Sequence, residues 1–177
     1  MPTFASRTSD RRRSGGFTLL ELLVVVAMVA ILTGTVILGF TGADQEQRLR
    51  GSAEQLAYQI ELARQYALQR NREWGVYVEP DSVRFAEFDP EQESWVEKGR
   101  RPFSGVDLPV NVELSVESEG LDQLPESERE ALPKILLFSS GEVTPFTLTM
   151  EPGWESVPWT LSSDGLSRVD AQREEAL

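Results

Sequence analysis

Glu21 is the only acid in the apolar run Leu19–Phe40. An ionised carboxylate in hydrocarbon costs roughly 3 kcal/mol on insertion scales, so such a residue points to a function and to a partner of opposite charge. Upstream stand Arg7, Arg11, Arg12 and Arg13, then Gly15-Gly16 and Phe17. Other reactive chemistry is sparse. The chain has no His and no Cys, so a disulfide, a thiolate zinc site or His-based catalysis cannot be built. Glycine-rich phosphate loops and zinc spacings are missing. Ser139-Ser140-Gly141 lacks the flanks of a nucleophile elbow. A Ser–Lys pair using Lys98 or Lys134 stays open as a catalytic arrangement. The acid clusters Glu117–Asp122 and Glu126–Glu130 lack calcium-loop spacing and read as solvated faces. Trp95, Trp154 and Trp159 are core or binding surface. Trp154, in the turn Glu151-Pro152-Gly153-Trp154, is the one expected to be exposed. The expectation is a non-enzyme with no metal and no cofactor.

The elements that must position Glu21 come next. Leu19–Phe40 is 22 residues, roughly 33 Å as a helix, which suffices to span a bilayer. An ordinary signal peptide has a shorter apolar core, with small residues after it rather than before. The arginines place the N-terminus in the cytoplasm. The formal net charge is −12, unevenly placed. Residues 1–16 carry four Arg and one Asp, whereas from Thr41 onward 13 Lys+Arg face 27 Asp+Glu, or −14. An acidic body disfavours nucleic acid as a partner, since phosphate binding needs a basic surface.

Beyond the anchor, Leu49, Ala53, Leu56, Ile60, Ala63 and Ala67 recur at helical spacing and predict one apolar face on a helix running from Asp44 to about Arg72. Arg48, Arg50, Glu54, Glu61, Arg64 and Arg70 lie mostly off that face. No proline occurs between Phe17 and Val78. From Trp74 the pattern changes to short strands. Trp74–Val78 and Val83–Phe88 flank the turn Glu79-Pro80-Asp81-Ser82 as a hairpin. Further strands are expected at Ser94–Lys98, Val110–Val116, Lys134–Ser139, Phe146–Met150 and Val157–Leu161, with a last one at Leu166–Val169. The acidic stretch Glu117–Pro133 reads as an extended loop. A long N-terminal helix packed on antiparallel sheet is an α+β fold.

The basic leader, Gly16-Phe17 and Glu21 together resemble the N-terminus of type IV pilins and type II secretion pseudopilins. Ala53-Glu54-Gln55-Leu56-Ala57, Glu61 through Asn71, and Phe138-Ser139-Ser140-Gly141-Glu142-Val143-Thr144 are similar to the GspH/FimT family within that group. Many pilins carry a proline in the membrane segment, and this chain does not. The resemblance implies a pilin-like fold in three parts: a leader at 1–16, a transmembrane helix at 17–40 and a periplasmic domain at 41–177. It implies cleavage by prepilin peptidase between Gly16 and Phe17, N-methylation of Phe17, and a subunit-assembly role for Glu21. Glu21 would then meet the Phe17 amine of an adjacent subunit, and each charge would compensate the other. The partners implied are other pseudopilins, major and minor, the peptidase and the inner membrane, crossed once with the N-terminus cytoplasmic. The function implied is that of a minor pseudopilin near the tip of the type II secretion pseudopilus, supporting protein export across the outer membrane. The alternative is a FimT-like minor pilin serving pilus assembly or DNA uptake. The acidic body favours secretion.

Overall fold

The computed structural model describes residues 19–120, 125, 129 and 131–174, with the backbone alone over 30–43. The leader, Gly16 and Phe17 lie outside the described residues, as does part of the acidic stretch 117–133. The chain divides into two compact units, Met1–Gly42 and Ala43–Leu177.

Helix α1 spans Leu19–Arg70. Its opening belongs to the first unit, where every side chain from Leu19 to Val29 is exposed. Among the described residues no helix is long and apolar enough to cross a membrane. The expected span 17–40 extends into residues whose side chains lie outside that description.

In the second unit, α1 buries the face predicted from its spacing. Leu49, Ala53, Leu56, Ile60, Ala63 and Ala67 are all 0% exposed. Three alanines keep that face thin, so strands can pack close to the helix axis. The helix ends at Asn71, whose φ of 51° is the left-handed conformation that asparagine tolerates at a helix end. The Arg72 N–H then closes the last turn on the Ala67 carbonyl at 3.2 Å.

Two four-stranded antiparallel sheets follow. The first contains β1 (Trp74–Glu79), β2 (Ser82–Asp89), β3 (Ser94–Glu97) and β5 (Ile135–Leu137) in the order β3-β2-β1-β5. Glu79 pairs with Ser82, which leaves Pro80-Asp81 as the hairpin loop. The second contains β4 (Val112–Ser118), β6 (Phe146–Pro152), β7 (Trp159–Ser163) and β8 (Asp170–Arg173) in the order β4-β6-β7-β8. The Leu114 N–H bonds to the Pro80 carbonyl at 2.8 Å, joining β4 to the tip of the β1–β2 hairpin. Phe85 and Ile135 from the first sheet and Leu148, Met150 and Leu161 from the second meet the α1 face in one core.

Two strand expectations need correction. Val110 stays outside β4 and is 75% exposed, because Asn111 turns to a φ of 64° before the strand begins. Leu166–Val169 is not a strand; the last strand is Asp170–Arg173. Asp164 holds the preceding segment in a turn, accepting from the N–H groups of Leu166 (3.0 Å) and Ser167 (2.7 Å). Phe138–Gly141 forms a turn, with Gly141 at a φ of 89° and its N–H on the Phe138 carbonyl.

Candidate functional site

Glu21 lies in the first turn of α1 and is exposed among exposed apolar neighbours. A carboxylate is favoured there by the helix dipole, which presents partial positive charge at that end. Beside it, Leu22 and Leu23 are 61% and 63% exposed. The arrangement offers one anionic contact inside an apolar surface, the chemistry needed to select a cationic partner in a dry interface. The other two expected site residues, Gly16 and Phe17, lie outside the described residues.

In the second unit, two charged residues expected off the apolar face of the helix are structural ties. Arg64 Nε donates to the Gly141 carbonyl, and its terminal nitrogens donate to Leu166 (2.7 Å) and Ser167 (2.9 Å). Glu61, one turn earlier, accepts from the Val169 N–H at 2.9 Å. Both side chains are about four-fifths buried, with 18% and 19% exposure. They fasten the turn after β5 and the segment before β8 to the helix. Side-chain to main-chain bonds at this sequence distance leave no periodic signal, so spacing alone could not reveal them.

The three arginines that could make a basic patch are divided by the fold. Arg64 is committed to carbonyls. Arg70 and Arg72 reach Glu87 on β2 at 3.2 and 3.8 Å, and Lys98 reaches the same carboxylate at 3.3 Å. Glu87 is 7% exposed. A carboxylate buried that deeply must be paired, and here several cations converge on it. Lys134 donates instead to the Arg129 carbonyl, and Ser139 donates to Glu73. The residues of the Ser–Lys reading are therefore occupied elsewhere. Among the described residues no cluster of acids is placed to hold a metal ion.

Nor is Trp154 the free surface aromatic expected from its turn; it is half-buried against the core. Trp159 is buried, and Trp95 stacks edge-on against Phe88 at 5.3 Å. On the surface of β2, the Arg84 hydrogen bond to Glu79, followed by that from Ser82, holds the Glu79 carboxyl below its usual range. The backbone N–H groups of Ser167 and Leu166 do the same for Asp164.

A long N-terminal helix, its acid-bearing apolar opening and a domain of antiparallel sheets on its later part define the pilin class of protein. Residues 11–37 match the prokaryotic N-terminal methylation motif, and residues 52–167 match type II transport protein GspH. The type II secretion system protein H of Pseudomonas aeruginosa is 34% identical over 92% of this chain and 99% of its own length. That of Aeromonas hydrophila is 28% identical over 93% and 97%. In fold, the chain resembles the minor pseudopilin EpsH from the Type 2 secretion system of Vibrio cholerae. The TM-score is 0.56 at 21% identity, over 70% of this chain and 94% of that one. Escherichia coli GspH gives 0.56 at 19% identity, over 72% and 89%. The chain belongs to the GspH family of type II transport proteins.

Proposed function

We propose that this protein is a minor pseudopilin, a structural, non-catalytic subunit near the tip of the type II secretion pseudopilus, where it supports protein export across the outer membrane. One observation carries the reading. The methylation motif at 11–37 and the GspH match at 52–167 occur in one chain and in the family's order. Prepilin peptidase cuts between Gly16 and Phe17, and the new Phe17 amine is N-methylated. The segment 17–40 crosses the inner membrane once, with the N-terminus cytoplasmic and residues 41–177 periplasmic. Glu21 meets the methylated Phe17 amine of an adjacent pseudopilin, and the two opposite charges hold the subunits in register. The exposed apolar face around Glu21 supports such a contact, because a carboxylate and an ammonium attract strongly once water is excluded.

Co-purification of the full-length protein with the other minor pseudopilins, together with secretion in a strain lacking its gene, tests the role. Loss of export in that strain, its return when the gene is put back, and recovery of pseudopilins with the protein are expected. Normal export in the deletion strain would remove the proposal.

A further inference from the structure

We propose that a cleft at the C-terminal end of α1 docks a short acidic peptide segment of a neighbouring subunit, with one apolar side chain on its aromatic floor. This rests on the assembly role proposed above. The cleft holds about 600 Å³. Its floor is Tyr66, Trp74 and Phe103, whose rings pack with centroids 4.7 to 5.7 Å apart. Its cations are Arg70, Lys98, Arg100 and Arg101, and the one acid lining it is Glu97. That concentration of positive charge stands on a body of net −14.

The cations differ in how far they are already used. Glu87 holds Arg70 and Lys98 from within the sheet, and Glu97 lies 3.5 Å from Arg84. Arg100 and Arg101 are exposed, and neither has an ion-pair or hydrogen-bond partner for its side chain among the described residues. Two adjacent unused guanidinium groups suit carboxylates, which they grip through paired N–H donors.

The segment bearing them is built rather than loose. The Lys98 N–H bonds to the Phe85 carbonyl at 2.7 Å, and the Phe103 N–H bonds to the Arg100 carbonyl at 2.9 Å. Phe103 is 5% exposed within the aromatic cluster. Gln59 on α1, 3% exposed, donates to the carbonyls of Pro102 (2.7 Å) and Gly105 (3.2 Å). These ties hold the backbone around Arg100 and Arg101 in place, which lowers the ordering cost of binding.

Charge range decides between a peptide and a nucleic acid. Screening confines surface fields to about 8 Å at physiological ionic strength. A duplex extends well beyond the cleft and meets the acidic surface around it. A few acidic residues meet only the cleft.

The test uses full-length protein in uncharged detergent. Its probe is a short fluorescein-labelled peptide of Asp and Glu around a central Phe. Its Asn/Gln counterpart and duplex DNA are the comparison arms in detergent, and phosphatidylglycerol vesicles are offered to protein held in detergent-free nanodiscs. Arg100→Glu with Arg101→Glu leaves no internal contact broken, and an unchanged melting curve checks the fold. The acidic peptide is expected to bind, and the double variant to weaken it about tenfold or more. Equal binding by the variant, no binding, or stronger uptake of DNA or vesicles through the same arginines overturns the cleft proposal. Co-purification of unaltered protein with other pseudopilins is read separately. If it succeeds while the peptide arm fails, the cleft alone is wrong. If the peptide binds and no pseudopilin is recovered, the neighbouring-subunit assignment is wrong.

Discussion

Arg64 donates to three main-chain carbonyls that lie 77 to 103 positions further along the chain. Hydrogen bonds from a charged donor contribute about 1.5–3 kcal/mol each when well buried, and less at a partly wet site such as this one. Arg64→Ala is expected to lower unfolding stability by about 2 kcal/mol, read by urea denaturation in uncharged detergent with Trp fluorescence. A midpoint unchanged from the parent would mean that the tie carries no load. Asp164 acts nearby through its charge. Its folded pKa is lowered, so its contribution is complete above the unfolded carboxylate range and is lost as pH falls through the folded value. Asp164→Asn should therefore flatten the fall in stability below about pH 4; an identical acid limb in the variant would contradict that assignment. At the other end of α1, Glu21→Val should leave membrane insertion intact and prevent incorporation beside other pseudopilins. Removing an acid makes insertion easier, so an insertion defect counts against the pairing. N-terminal mass spectrometry should find N-methyl-Phe17 in the membrane-purified protein, and an intact Met1 would exclude processing at Gly16.

The helix face is the element on which the second unit depends. Leu56→Asp or Ile60→Asp places an unpaired charge in a fully buried position and should cost several kcal/mol. Glu54→Ala removes only an exposed pair with Arg50 at 2.7 Å and should shift stability by no more than about 0.5 kcal/mol. Equal melting of Ile60→Asp and the parent would place the helix in another orientation. This face was legible in the sequence because burial on one side of a helix repeats its period in the residues. The hairpin at Pro80-Asp81 was legible for a similar reason, through a turn pair between alternating strands. Val110 misled because its alternation with Val112 continues across Asn111, where the backbone changes hand. The segment Leu166–Val169 misled because Asp164, Glu61 and Arg64 hold it by side chains, and no local pattern records their reach. The Glu87 cluster was invisible for the same cause: its cations come from the end of α1 and from beyond β3.

For the whole molecule, the acidic balance and the family place assembly ahead of nucleic-acid binding. Full-length protein titrated with duplex DNA should show no micromolar affinity at physiological salt, while recovering other minor pseudopilins from membranes. Salt-sensitive DNA binding abolished by Arg70→Glu, with no pseudopilin recovered, would reverse that order. The glycine-phenylalanine junction and the acid after it form a linear pattern, so residue types alone suffice to propose a site there. The surface that sorts partners is assembled from distant segments and had to be seen folded. The tie between Arg64 and Leu166 also sets a clock. Its two ends are 102 residues apart, so at about 5–20 residues per second of synthesis the helix exists for roughly 5–20 s before this fastening can be made. Throughout that interval the stripe from Leu49 to Ala67 has no complete cover. A nascent chain halted before Leu166 should expose a sticky amphipathic helix, and a chaperone or the membrane surface must shield it until the final strand emerges.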